Sequence, residues 1–229
     1  MNTTAIITAR GGSKGIPRKN IKLICGEPLI AWTIKAAKSS KHVTAIYVST
    51  EDDEIAKISK SFGAEIIERP KELSQDTSDS ESVLAHAISE LESQGKDLGD
   101  ILLLQPTSPL RTGKHIDEAI NLYREKQANC VISVYEPDQS IVKAYVQESD
   151  GQIVGILNRN APYTRRQDLP KVFLPNGAIY VFSSRRFNKY KQIPRDNVHP
   201  YVMSQKASID IDNQDDFDQA QKLLEEQIL

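Results

Sequence analysis

The chain has 229 residues, enough for one large domain with a core that needs no covalent staples. With 39% apolar and 26% charged residues it falls outside the disordered class, and its formal charge of −2 argues against a nucleic-acid binder. Any anion must therefore be held by a local cluster of charge.

From Thr4 to Val134 the sequence alternates two periods. Apolar, β-branched runs at Thr4–Thr8, Ala45–Ser49, Ala64–Ile67, Ile101–Leu104 and Val131–Val134 predict strands covered on both faces. Between them, helical spacing aligns Leu29, Ile30, Ile34 and Ala37, then Ile55, Ile58 and Phe62. It also aligns Val83, Leu84, Ala87, Ile88 and Leu91, and finally Ile116, Ala119, Ile120 and Tyr123. Capping boxes are expected at Thr50–Asp53 and Ser78–Glu81, and Thr112 is expected to cap the fourth helix. Together these predict an α/β, Rossmann-like, mainly parallel twisted sheet flanked by helices.

The rhythm breaks after Pro137. Ile141–Gln147 and Gln152–Leu157, joined through Ser149-Asp150-Gly151, predict a small β-hairpin. A lone hairpin is marginal in water, so this arm is expected to pack on a second subunit. Gly177–Phe182 is read as a strand returning to the core, Ala207–Asp212 as a last short strand and Phe217–Ile228 as a closing helix. The expected division is a catalytic α/β domain over 1–136 and 174–229, interrupted by a dimerisation arm over 137–173.

Cys25 and Cys130 fit no metal spacing or disulfide framework and are expected as buried thiols. With no apolar run of membrane length and no signal-peptide pattern, a cytoplasmic protein is expected.

Three stretches carry chemistry. The first, TARGGSKGIPRKN from Thr8 to Asn20, follows the first strand. It fails the Walker A spacing, because Lys14 precedes Gly15. Its glycines still allow backbone N–H groups to converge on phosphate, and Arg10, Lys14, Arg18 and Lys19 supply four cations. Charge-assisted hydrogen bonds contribute roughly 1.5–3 kcal/mol each, so two or three would hold a triphosphate. The second, Asp210-Ile211-Asp212, places two carboxylates on one face if it is a strand, which suits Mg²⁺ sharing phosphate oxygens. The third, Leu104 to Arg111 (LQPTSPLR), leaves the carboxyl end of a buried strand with Gln105, Thr107, Ser108 and Arg111 as hydrogen-bonding groups.

These stretches, with Arg69–Leu73, Asp76–Ser80, Arg166–Pro170 and Pro175–Tyr180, occur in the order and spacing of the acylneuraminate cytidylyltransferases, the CMP-sialic acid synthetases, which the chain resembles over nearly its whole length. The resemblance implies that CTP and a nine-carbon nonulosonic acid give the CMP-sugar and pyrophosphate. It implies Lys14 and Lys19 on the phosphates, and Arg10, Ser13 and Asn20 around the nucleotide. Arg69, Ser78 and Ser80 would read the cytosine. Gln105, Thr107, Ser108 and Tyr180 would face the sugar, with Arg166 and Lys143 reaching over from a partner subunit in a homodimer. Asp210 and Asp212 would hold Mg²⁺. The general base is open between Asp212 and a metal-assisted route without a separate base. The Lys19-Asn20 pair points away from the eight-carbon octulosonate synthetases. N-acetylneuraminate or its relative legionaminate is favoured, with pseudaminate as an alternative. No appended C-terminal domain of the kind some members have is expected, and with it a single activity. A nucleotide-sugar glycosyltransferase, or a non-catalytic nucleotide sensor, would share some of these features.

Overall fold

A computed structural model of the chain describes residues 2–75 and 78–228. The first part runs β1 (Thr3–Thr8), β2 (Leu23–Ile24), β3 (Glu27–Pro28), α1 (Leu29–Ser39), β4 (Ala45–Thr50), α2 (Asp53–Ser61), β5 (Glu65–Glu68), α3 (Ser80–Ser93), β6 (Asp100–Leu104), α4 (Gly113–Glu125) and β7 (Cys130–Tyr135). The second adds β8 (Tyr145–Gln147), β9 (Ile153–Gly155), β10 (Leu174–Ser183), α5 (Ser184–Tyr190), β11 (Val198–Val202) and α6 (Gln214–Ile228).

Seven strands form one sheet in the order β11-β7-β10-β6-β1-β4-β5. Only β10 runs antiparallel to its neighbours, so the sheet is mainly parallel and Rossmann-like. Strand alternation feeds two cores. Ala5, Ile7, Leu102 and Leu104 pack under α1, α2 and α4 through Ile30, Ile34, Ile55, Ile116 and Ile120. Ile6, Leu103 and Phe182 pack on the other face against Leu84, Ile88 and Leu91 of α3 and Phe187 of α5. A smaller core under α6 joins Ile16, Leu29, Ile211, Phe217 and Leu224. Ile16 belongs to the opening loop and Ile211 separates the two aspartates, so one apolar cluster fixes both stretches.

Several sequence expectations shift. The N-cap of α2 is Asp52, not Thr50: its carboxylate accepts from the N–H groups of Glu54 and Ile55, while the Thr50 hydroxyl accepts from Asp52 N–H. The N-cap of α3 is Asp79, not Ser78, and it accepts from Ser82 N–H. In both places a carboxylate nearer the helix outcompetes the hydroxyl before it. Thr112 caps α4 as expected, in a reciprocal box closed by His115. Residues 139–143 form a 3₁₀ turn rather than strand, leaving three-residue arms in β8 and β9. Ala207–Asp212 is not a strand, because a 3₁₀ turn takes Lys206–Ser208 and no ladder follows. Cys130 is buried, but Cys25 is only partly so. The α5 and β11 elements are additions the sequence reading missed. Among the described residues, no helix is long and apolar enough to cross a membrane.

Candidate active site

The chain leaves β1 and β6 at their carboxyl ends on adjacent strands, with later strands added on both sides of the pair. Such a crevice is where open α/β sheets collect ligands. The opening loop crosses it held at several points. A Cβ on Gly15 would overlap the Asp212 carbonyl oxygen, so glycine allows the loop backbone to lie directly on the Asp210–Asp212 segment. Asn20 is buried and donates its Nδ2 to the Arg10 carbonyl at 2.9 Å. Gly11 N–H donates to Glu51 Oε1 at 2.8 Å. Arg18, in left-handed backbone at φ 55°, turns outward and forks onto Asp52 at 2.5 and 3.0 Å, with Glu54 at 2.6 Å. Its cation therefore braces the loop from outside.

Lys19 points inward. Its Nζ donates to the Ile211 carbonyl at 2.5 Å and lies 3.7 Å from Asp212 Oδ1. The aspartate segment hangs from the third loop by one backbone bond, Ile211 N–H to the Thr107 carbonyl at 2.9 Å. Ile211 is buried between Asp210 and Asp212, which both line the cleft. The expected shared face therefore arises without a strand, because the apolar residue between them is anchored in the core. Asp210 meets solvent in the cleft, yet the surrounding protein raises its pKa, chiefly by desolvation. Asp212 adds to the rise, while the Thr107 hydroxyl and Lys19 oppose it.

The Gln105 loop has a rigid back. Arg111 is fully buried, and its Nη1 donates to the carbonyls of Gln105, Ser108 and Ala178 at 3.2, 3.2 and 3.3 Å. Burial pulls its pKa down to about 9. Asn176 is a second hub: it accepts from Ser133 Oγ at 2.6 Å and Ala178 N–H at 3.2 Å, and donates to Ser208 Oγ at 2.9 Å. Gly177, at φ +69°, comes so close to Gln105 that a Cβ there would strike the Gln105 amide oxygen.

Together the three stretches enclose a cleft of about 420 Å³, lined by Arg10, Ser13, Lys14, Lys19, Asn20, Gln105, Thr107, Asp210 and Asp212 among others. A second hollow of about 260 Å³ shares Thr8 and Arg10 with it and is lined by Arg69, Ser78 and Ser80. Arg69 is buried, with Nε on Ser49 Oγ at 3.1 Å and Nη2 on the Ser49 carbonyl at 2.6 Å. Its pKa falls to about 10, first through burial, with nearby Glu51 raising it and Arg10 lowering it. Ser78 donates its hydroxyl to the Glu72 carbonyl at 3.2 Å, and Ser80 opens α3. Asp76 and Thr77 of the same stretch lie outside the described residues.

Of the expected sugar contacts, Ser108 and Tyr180 do not line the cleft, and the two expected to act from a partner subunit lie on the arm. Ser108 is fully buried and donates to the Asn176 carbonyl at 3.1 Å, which makes it a support for the loop rather than a wall of the cleft. Tyr180 is half-buried against the α3-side core, although Asp210 is near enough to raise its pKa after burial has done so. Lys143 and Arg166 sit on the arm and line neither hollow, and Arg166 pairs with Asp138 at 3.0 Å. Sequence reading overlooked Thr8, Pro106, Leu73 and Gln75 as lining residues. Thr8 carried a usable signal as the last residue of the first strand; Leu73 and Gln75 carried none.

A family model described as cytidylyltransferase matches residues 4–229. An N-acylneuraminate cytidylyltransferase of Streptococcus agalactiae serotype V is 33% identical over 95% of this chain and 52% of its own length. Those of Escherichia coli O18:K1:H7 and Danio rerio (form A) are 32% and 35% identical, over 94% and 91% of this chain and 50% and 47% of their own. The chain thus spans about half the length of these relatives. Two solved structures share the fold at low identity. A CMP:2-keto-3-deoxy-manno-octonic acid synthetase complexed with CTP superposes with a TM-score of 0.76 at 15% identity, covering 99% of this chain and 100% of that one. A 4-diphosphocytidyl-2C-methyl-D-erythritol synthase from Anaerococcus prevotii gives 0.64 at 16%, covering 97% and 96%. With the family pattern running from β1 to the closing helix, this chain belongs to the cytidylyltransferase family.

Proposed function

We propose that the chain transfers the cytidylyl group of CTP to the anomeric hydroxyl of a nonulosonic acid, N-acetylneuraminate or a close relative, releasing pyrophosphate. One observation carries this reading: the cation-bearing loop, the paired aspartates and the Gln105 loop line one cleft that continues into the Arg69 hollow. The relatives' names supply the sugar class, and the family displaces the glycosyltransferase reading.

In this reading the pyrimidine enters the Arg69 hollow, with Ser78 and Ser80 beside it and Arg10 and Ser13 at the junction. Lys14 and Lys19 take the phosphates and stabilise charge building on the leaving pyrophosphate. Gln105 and Thr107 orient the sugar acid so that its hydroxyl faces the α-phosphate opposite the leaving group. Among the described residues, no cluster of three or more potential ligands could cage a metal. Two carboxylates lining one cleft, with Asp212 near enough to disfavour the ionisation of Asp210, nonetheless suit Mg²⁺, which takes one or two carboxylates and fills its shell with phosphate oxygens and water. Held by Asp210 and Asp212, Mg²⁺ would supply charge neutralisation at the reacting phosphate.

The arm completes the proposal. Among the described residues, seven of the eleven exposed large apolar side chains lie within residues 137–173, including Ile153, Ile156, Leu157 and Tyr163. Covering them with a second copy would make a homodimer and would carry Arg166 and Lys143 toward a partner's cleft. There the Arg166 guanidinium would grip the sugar carboxylate as a fork. A cytoplasmic setting is part of this reading. The test is pyrophosphate release from CTP and Mg²⁺ with N-acetylneuraminate, legionaminate, pseudaminate and the eight-carbon octulosonate. Release with a nine-carbon acid and CTP is expected. No release with any nine-carbon acid, or equal release without sugar, overturns the reading.

A further inference from the structure

A cavity of about 890 Å³ opens at the other end of the sheet, where β6 begins at Asp100 and β10 ends at Ser183. It is larger than either hollow of the catalytic cleft and lies at the strand ends opposite Gln105 and Gly177. Helices α4 and α5 form its walls and make it cationic: Arg124, Arg185, Arg186 and Lys189 face one carboxylate, Asp100. Among the described residues, no carboxylate pairs with Arg185 or Lys189, and Arg186 reaches Asp196 only at 3.9 Å. The cluster is thus only partly neutralised, by Asp100 beside Arg124 and by Asp196 near Arg186, although the chain as a whole carries a charge of −2.

Two features separate this cavity from a merely basic patch. Its buried floor holds polar atoms without partners: Asp100 Oδ2, an acceptor, and Arg124 Nε, a donor. Buried polar atoms are usually satisfied, so the Asp100 carboxylate, which also faces the Tyr123 hydroxyl, keeps acceptor capacity to spare at the base of the cavity. Two aromatic rings line it: Tyr123, packed on the sheet core with its hydroxyl toward Asp100, and Tyr190, with Lys189 Nζ 4.8 Å from its ring centroid. A volume of this size suits an organic ligand, well beyond a single inorganic ion.

We propose that the cavity between α4 and α5 binds a nucleoside phosphate, separately from the catalytic cleft. Its phosphates would lie on Arg185, Arg186 and Lys189, its base against a tyrosine, and a ribose hydroxyl or base amine would donate to Asp100. The three cations of α5 recognise phosphate, while the spare Asp100 acceptor and the rings suit the nucleoside.

ATP is the probe, because a cleft that reads cytosine discriminates against it. In equilibrium dialysis of the full chain without CTP, one ATP per chain is expected. Arg185→Glu combined with Lys189→Glu changes two exposed side chains on α5 and should weaken ATP binding at least tenfold, since each charge-assisted contact contributes about a factor of ten. Lys19→Ala, in the cleft, should leave ATP binding unchanged. The proposal is overturned by no ATP binding, or by binding lost in Lys19→Ala and kept in the α5 double variant, which would put ATP in the cleft. Inorganic tripolyphosphate binding as tightly as ATP also overturns it, because the cavity would then read charge alone. None of these outcomes depends on cytidylyl transfer, so the site stands or falls apart from the proposed reaction.

Discussion

The floor of the cleft and the arm are built on opposite principles. Behind Gln105, the buried groups of Arg111, Asn176, Ser108 and Ser133 bond to one another and to the backbone. The arm rests on a core of three buried residues, Val142, Ala161 and Leu169, and shows most of its larger apolar side chains to solvent. Mutual bonds tie these groups to one geometry, with Arg111 Nε and Nη2 the buried atoms among them left without a partner. A hairpin with three-residue strands has no such constraint of its own. The chain thus fixes the floor of its cleft through internal bonds and leaves the arm without a comparable constraint.

The largest effects should come from the cleft. Lys19→Ala removes a cation held at 2.5 Å from the Ile211 carbonyl, and Asp210→Asn removes one of the paired carboxylates. Each should cut kcat by about 10²–10³, the range seen when one charge-stabilising group is lost. Steady-state kinetics beside a thermal melt checks this: near-wild-type turnover in either variant breaks the assignment. Next comes the support. Arg111→Met removes the side-chain donor shared by three carbonyls, leaving those of Gln105 and Ser108 only long backbone bonds, and should cost about 2 kcal/mol while lowering kcat about tenfold through a loosened Gln105. Denaturant unfolding that shows undiminished stability would deny Arg111 its role as the back of the site.

How far these regions could be read beforehand follows the same division. Buried strands and helix faces were legible because period alone identifies them, as Ile30, Ile34 and Ala37 show in α1. The cations and acids of the cleft were legible as residue types in ordered motifs. Their support was not: Arg111 and Ser108 look like ligand groups in LQPTSPLR, and only their burial shows that they serve the backbone. Asp210 and Asp212 share the cleft for a reason alternation did not supply, namely the packing of Ile211 with Ile16 and Phe217. The caps shifted because two neighbouring candidates competed and local geometry chose the carboxylate. β11 was missed because Pro200 sits inside it, a residue that argues against a strand, although here the strand is at the sheet's edge.

For the arm, the sharper comparison is between chains. An Arg166→Ala protein and a Lys19→Ala protein should each be inactive, since one lacks the sugar clamp and the other the phosphate contact. If Arg166 acts across a dimer, mixing the two and allowing exchange should restore turnover, because one mixed site receives both intact residues. No recovery in exchanged dimers, confirmed by sedimentation, would put Arg166 outside the partner's site. Ile156→Glu should shift the protein toward monomer and lower activity with it, since Ile156 is 60% exposed in the single chain.

The smallest effect lies where the cleft meets its surface. Arg18 holds Asp52 well below its ordinary pKa of 3.8, with the α2 N–H groups of Ile55 and Glu54 adding to the fall against some desolvation. A carboxyl whose pKa is lower in the folded state binds its proton more weakly there than in the unfolded chain. Its stabilising contribution is therefore complete above about pH 4 and fades as acid takes the pH down through the depressed value. Asp52→Asn keeps a side-chain oxygen for the cap but loses the charge paired with Arg18. Because Arg18 is 41% exposed, solvent screens the pair, and the loss at neutral pH should stay within about 1 kcal/mol. Melting curves of wild type and Asp52→Asn should differ by a few degrees at pH 7 and draw together as acid takes the pH down through the depressed value. A difference that persists unchanged in acid would mean that the loop is braced by the shape of this corner rather than by its charge.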